Sequence, residues 1–161
     1  MGKKAEEIER EIIDTFASAS SFVGYSEAHG KIIGALIVSN GAMSLEEVAK
    51  KTGYSVSTIS LSIDLLEVLG IVRRVKKRGD RRLYLELDGD ILEALKAAVM
   101  LKVTKASLSA YESFERYKEE IGKMHGSEKA KLLKSLGRLE KEMKRMGLYL
   151  NELSKVKMPN G

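Results

Sequence analysis

Cysteine is absent from the 161 residues, which excludes disulfide bonds, thiolate zinc sites and a cysteine nucleophile. The two histidines, His29 and His125, are far apart in the sequence and have no cysteine companions, so we expect no metal site. No serine, histidine and aspartate form a motif typical of nucleophilic catalysis, and no glycine-rich phosphate-binding loop occurs. The sequence therefore predicts a protein that is not an enzyme and that needs neither a metal nor a cofactor.

Long apolar stretches are also absent, since none approaches the roughly 18 residues needed to cross a bilayer. The first residues, MGKKAEEIERE, are charged and contain no apolar signal region. Charged residues make up 32% of the chain and apolar residues 43%, a balance typical of a soluble, helix-rich globular protein. We therefore expect a cytoplasmic protein.

Positive charge is concentrated in one segment, residues 73–82, which has seven basic side chains and one acidic side chain, Asp80. Because the net charge of the whole chain is only +5, the rest of the chain is close to neutral. A single basic patch on a nearly neutral body predicts a polyanionic partner. A basic run without such a context would indicate no more than a solvated surface loop.

Apolar spacing and glycine positions predict a helix-turn-helix motif in the middle of the chain. Ser44-Leu45-Glu46-Glu47 is a capping box, and the helix that it starts should end at Gly53. Ser55 can cap a second helix that runs from Val56 to Leu69. Two helices that cross closely need a small residue in the first and a glycine in the turn. That spacing is supplied by Leu45, Ala49, Gly53, Val56 and Ile59.

Two short runs with β character follow, from Ile71 to Lys76 and from Arg82 to Leu87, with a turn from Lys77 to Arg81. The hairpin of residues 71–87 is called the wing, because the order helix, helix, hairpin is that of a winged helix. The fold class that we expect is mainly α with this small β-hairpin. The basic segment then lies in the wing.

The second helix of the motif, the recognition helix, would enter the major groove of DNA with its N-terminal half. Its leading side chains are short hydroxyls, which cannot form the bidentate Arg–guanine or Asn–adenine pairs. We therefore expect selectivity to come largely from the wing, with Arg78, Arg81 and Arg82 in a minor groove and the other basic residues on phosphates. The predicted DNA-binding residues are Ser44, Ser55, Ser57, Thr58, Ser60, Ser62, Arg73, Arg74, Lys76, Lys77, Arg78, Arg81 and Arg82.

Long amphipathic helices flank this region. Residues 5–23 have apolar side chains at steps of three and four, and a final helix from Ser127 to about Lys157 alternates steps of four and three, as coiled coils do. A helix of some 30 residues is about 45 Å long, so we expect a partner helix to cover it. The predicted dimerisation residues are Ile8, Ile12, Phe16, Leu132, Leu136, Leu139, Met143, Met146, Leu150 and Leu153.

The segment SLEEVAKKTGYSVSTISLSIDLLEVLGIVRRVKKRGDRRLYLEL resembles the winged-helix core of MarR-type regulators. The preceding GYSEAHGKIIGALIVSN and the long helices that follow are most similar to the GbsR branch. MarR-type wings commonly have an Asp and an Arg at the tip, matched here by Asp80 and Arg82. Where such families often have proline before the capping serine, this chain has Ala42-Met43. The resemblance implies a homodimer whose two wings read half-sites of a pseudo-palindrome.

We therefore expect an N-terminal dimerisation helix in residues 1–23, a winged helix-turn-helix DNA-binding domain in 24–90 and a coiled-coil dimerisation region in 91–161. The predicted function is sequence-specific binding of double-stranded DNA by a homodimeric transcriptional regulator, acting as a repressor. Two alternatives stay open, a winged-helix protein-interaction module and an architectural protein that coats DNA without sequence preference. A small-molecule effector is also left open, because Met100, Met124, Met143 and Met146 can either line a pocket or fill the helix core.

Overall fold

The computed structural model describes residues 2–159. Within these residues, six helices and three short strands follow one another, which confirms the predicted fold class. The chain divides into two compact units, one that ends at Ala97 and one that begins at Ala98. The elements are α1 (Lys3–Phe22), α2 (Glu27–Ser39), β1 (Met43–Ser44), α3 (Leu45–Thr52), α4 (Val56–Val68), β2 (Val72–Lys76), β3 (Leu83–Leu87), α5 (Ile91–Gly122) and α6 (Ser127–Lys155).

The core of the first unit is formed mainly by α2, α3, α4 and the sheet, with Ile13 of α1 and Ala94 of α5. Ile59, Ile63 and Leu66 of α4 are buried, at the steps of four and three that place side chains on one face of a helix. They pack in one cluster with Ile32 of α2 and Leu85 of β3. Burial of side chains of this size stabilises a fold by about 1.5–3 kcal/mol each, so this cluster holds the recognition helix against the sheet.

The first helix packs closely on α2 through two glycines. A Cβ atom at Gly34 would lie 2.8 Å from the Cα atom of Ile13, and one at Gly30 would lie 2.7 Å from the Cα atom of Ala17. The buried residues of α1 are accordingly Ile13 and Ala17, neither of which belongs to the stripe predicted for dimerisation. Of that stripe, Ile8 is exposed and Phe16 lies beside the same two glycines of its own chain.

The sheet is antiparallel and has the order β1-β3-β2. The wing hairpin pairs Val72 with Leu87 and Lys76 with Leu83, as the two predicted runs require. The third strand, β1, pairs Met43 with Leu85 and was not predicted. A strand of two residues is too short to show alternation in the sequence.

Both helices of the helix-turn-helix motif begin at the predicted serines. The Ser44 hydroxyl accepts a hydrogen bond from the Glu47 backbone N–H at 3.2 Å, and the Glu47 carboxylate accepts one from the Ser44 N–H at 2.7 Å. These bonds lower the pKa of Glu47, the backbone bond most strongly. Gly53 ends α3 with a φ of 78°, which suits a residue without a Cβ.

The second unit comprises α5 from Ala98 onward and the whole of α6. Ile121 and Leu136 are buried. The Lys118 Nζ atom lies 2.6 Å from Glu140 Oε1 and 2.8 Å from Glu115 Oε1. Hydrogen bonds to Glu115 and then to Glu140 raise the pKa of Lys118 to about 12. The predicted apolar seam of α6 remains largely uncovered, since its exposed members are Leu132, Leu139, Met146 and Leu153. Within residues 2–159, no helix has the length and apolar character of a membrane span.

Candidate nucleic-acid interface

The recognition helix, α4, has an exposed face opposite its buried face. Ser57, Leu61 and Asp64 are exposed and follow one another at steps of four and three, so they share one side of the helix. Ile59 and Ile63 occupy the opposite side and are completely buried. The core therefore orients α4 so that a surface of short polar side chains around one leucine is accessible.

The hydroxyls at the start of α4 form a cluster. The Ser55 oxygen lies 2.8 Å from that of Ser57 and 2.9 Å from that of Thr58, and it also accepts a hydrogen bond from the Thr58 N–H. Ser55 and Ser57 are exposed, whereas Thr58 is half-buried. We predicted that these hydroxyls form hydrogen bonds with DNA. Part of their hydrogen-bonding capacity is instead used by bonds to one another at the N-terminus of α4.

Two of the predicted DNA-binding serines are buried. Ser44 is completely buried, because it lies in β1 and caps α3. Ser62 is 8% exposed, and its hydroxyl donates to the Thr58 carbonyl at 2.9 Å. A duplex cannot reach either hydroxyl without disrupting the core. Ser60, in contrast, is exposed.

The tip of the wing is braced around Asp80. Its carboxylate accepts hydrogen bonds from the Arg82 backbone N–H at 2.9 Å, from the Arg82 guanidinium at 2.7 Å and from the Tyr84 hydroxyl at 2.7 Å. The bonds from Arg82, and next from Tyr84, hold the pKa of Asp80 well below its usual range. The same contact with Asp80 raises the pKa of Tyr84. The turn therefore has a defined shape before any partner binds.

The basic residues of the wing fall into two groups. Arg73 and Arg74 are held by carboxylates of their own chain, with the Arg73 Nε atom 2.6 Å from Glu86. Lys77 stacks on Tyr84, its Nζ atom lying 4.1 Å from the ring centroid, and Arg82 binds Asp80. The remaining basic side chains, which are exposed and form no ion pair within residues 2–159, are Lys76, Arg78 and Arg81.

Sequence reasoning overlooked Leu61, although 79% of its surface is exposed. The available signal was its position, two residues after Ile59 and two before Ile63, which puts it outside the buried stripe of α4.

Within residues 2–159, no group of three or more His, Cys, Asp or Glu side chains is placed to hold a metal ion.

No protein-family model matches the chain, and no curated protein matches it either. Solved structures do match. A crystal structure described as a transcriptional regulator is 19% identical and has a TM-score of 0.57, over 92% of this chain and 99% of that chain. A mutant of S. aureus MepR bound to an oligodeoxyribonucleotide is 15% identical, with a TM-score of 0.43 over 85% and 93% of the two chains.

A further match is ZitR of Lactococcus lactis, described as a zinc-responsive MarR family member, at 14% identity and a TM-score of 0.37, over 73% of this chain and 75% of that one. The first of the three structures is the most informative comparison, because it extends over nearly the full length of both chains. At 19% identity, what the two chains share is the fold. This chain therefore has the winged helix-turn-helix fold found in a solved transcriptional regulator.

Proposed function

We propose that the chain is a sequence-specific regulator of transcription that binds double-stranded DNA as a homodimer and represses by occupying promoter DNA. One observation supports this above all: the exposed face of α4 and the unpaired basic side chains of the wing belong to the same compact unit. A helix face that can enter a groove, beside cations that can meet phosphates, suits a duplex. The fold shared with a solved regulator supports the same proposal.

Charge at the wing suits a polyanion such as DNA. Lys76, Arg78 and Arg81 are exposed and unpaired among the described residues, so each can neutralise a phosphate without first breaking an ion pair. Each neutralised phosphate releases condensed counterions, and the logarithm of the binding constant then falls with the logarithm of salt concentration by about 0.9 per phosphate. Two wings in a dimer would double the number of neutralised phosphates.

The uncovered seam of α6 supports the dimer. Leu139, which is 54% exposed, and its neighbours at steps of four and three form an apolar stripe along a 29-residue helix. A second copy of this helix would bury the stripe. Two recognition helices about 34 Å apart would then lie one DNA turn apart. A small molecule that binds one spacing of the two helices better than another would switch occupancy, because differential binding shifts an equilibrium.

The proposal is tested by measuring the affinity of the full chain for random duplex over a range of salt concentrations and then selecting binding sites from a random pool. A regulator should show a steep salt dependence and enrich a pseudo-palindromic motif. Binding without an enriched motif would instead indicate an architectural protein that coats DNA. Failure to bind at moderate salt would indicate a protein-interaction module.

A further inference from the structure

Leu61 lies at the centre of the exposed face of α4, and 79% of its surface is accessible. It follows Ser57 by four residues and precedes Asp64 by three, so all three project from the side opposite the core. A leucine in this position gains nothing from the hydrophobic core. Burying it against another apolar group would remove its surface from water, which is favourable.

Two of the polar neighbours of Leu61, Ser57 and Asp64, already have partners. The Ser57 hydroxyl lies 2.8 Å from that of Ser55, and the Asp64 carboxylate lies 2.6 Å from the Arg74 guanidinium. A base edge that exchanged hydrogen bonds with either group would have to compete with these contacts. The centre of this face is therefore better suited to an apolar contact than to a pattern of donors and acceptors.

The apolar surface around Leu61 is small. Ser57, Ser60 and Asp64 around it are exposed and polar, and the other apolar side chains on this side of α4 are the half-buried Leu65 one turn on and the exposed Val68 two turns on. A stable protein partner needs an interface of about 800 Å² on each side, which these few side chains in a polar setting do not provide. A methyl group matches both the size and the chemistry of this patch.

We propose that Leu61 contacts the C5-methyl group of thymine in the major groove and thereby determines part of the sequence specificity. The inference rests on the proposed function, because it requires α4 to enter the groove. The thymine methyl is the apolar group that base pairs present there. The unpaired cations Arg78 and Arg81 of the wing complement the phosphates of the same duplex, which favours DNA as the occupant.

The experiment uses the full chain and the duplex that it selects from a random pool. Each thymine of a half-site is replaced in turn by deoxyuridine, which removes the methyl group and keeps the base pairing. We expect one or two replacements near the centre of the half-site to weaken binding of the unsubstituted chain by about fourfold each, the effect of one buried methyl-sized group. Leu61→Ala should bind the thymine duplex more weakly and should not distinguish thymine from deoxyuridine at those positions.

Val68→Ala is the matched control, because Val68 is 80% exposed on the same side of α4 but lies at its C-terminal end. It should keep the thymine preference. Thermal unfolding of both variants measures whether either has lost structure. An unsubstituted chain that binds DNA but tolerates every deoxyuridine, or a Leu61→Ala variant that keeps the preference, overturns the inference alone. A chain that binds no duplex overturns the proposed function as well.

Discussion

The guanidinium of Arg74 on β2 holds the carboxylate of Asp64 on α4, with Nη2 2.6 Å from Oδ1. Arg74 also pairs with Glu67, and its backbone N–H donates to that carboxylate at 3.2 Å. Two carboxylates about one helical turn apart thus tie the wing to the recognition helix. Since Arg74 is engaged in this way, it orients the wing and the recognition helix relative to each other rather than offering a free charge.

Replacing Asp64 by asparagine should strengthen binding to random duplex by about threefold at low salt, because one negative charge leaves the exposed face of α4. The free energy of unfolding should change by less than about 1 kcal/mol, since Asp64 is largely exposed. Fluorescence anisotropy with a labelled duplex measures the first effect. Glu119→Gln on α5, which makes the same charge change, is the control. Weaker binding by Asp64→Asn would show that orientation by the ion pair outweighs repulsion.

Arg81→Ala should weaken binding to the selected site more than binding to random duplex, because a wing arginine can read the width of a minor groove. The slope of the salt dependence should also decrease by about 0.9 for each phosphate that the variant no longer neutralises. Arg138→Ala on α6 is the matched control, because it removes an exposed arginine of the second unit that forms no ion pair within residues 2–159. Equal losses on both duplexes would argue against shape recognition by the wing.

Asp80 should make the stability of the chain depend on pH in the acid range. Its pKa is lowered in the folded state, so the unfolded chain binds this proton at a higher pH than the folded chain does. The stabilisation that the Asp80 carboxylate contributes is complete above the ordinary carboxyl pKa of about 4. It is lost as the pH falls below that value, towards the pKa of Asp80 in the folded state. Urea unfolding at a series of pH values should therefore show a shallower acid decline for Asp80→Asn. Parallel curves for the two proteins would contradict the role of this carboxylate.

Ser44→Ala should reduce the free energy of unfolding by about 1 kcal/mol, because it removes the N-cap of α3. The folded fraction should bind DNA with unchanged affinity, since Ser44 is completely buried. Ser60→Ala, on the exposed face of α4, is the comparison and should leave stability nearly unchanged. Chemical denaturation and anisotropy titration distinguish the two effects. If the fully folded Ser44→Ala variant lost affinity for DNA, Ser44 would have to contribute to DNA binding after all.

Leu139→Glu should convert the proposed dimer to a monomer, because it places a charge in the apolar seam of α6. Leu148→Glu is the matched control, since Leu148 is 69% exposed on the same helix but lies off the seam. Analytical ultracentrifugation of both variants and of the unsubstituted chain gives the oligomeric state. An unsubstituted chain that sediments as a monomer would exclude the proposed seam.

Features that depend on neighbouring residues could be predicted from the order of the amino acids. Ser44 and Ser55 start the two helices of the motif, Gly53 ends the first, and the turn of the wing follows from the residues around Gly79. Caps and turns are hydrogen bonds between groups a few positions apart, so the order of residues is enough to predict them.

Tertiary structure alone decided which side chains are accessible. Close packing on the glycines of α2 buries Ile13 of α1 rather than Ile8. Pairing of β1 with β3 buries Ser44. The fold also brought Arg74 to Asp64 and left Leu61 exposed. Burial and ion pairing depend on groups that are distant in the chain and meet only after folding, so local patterns do not specify them.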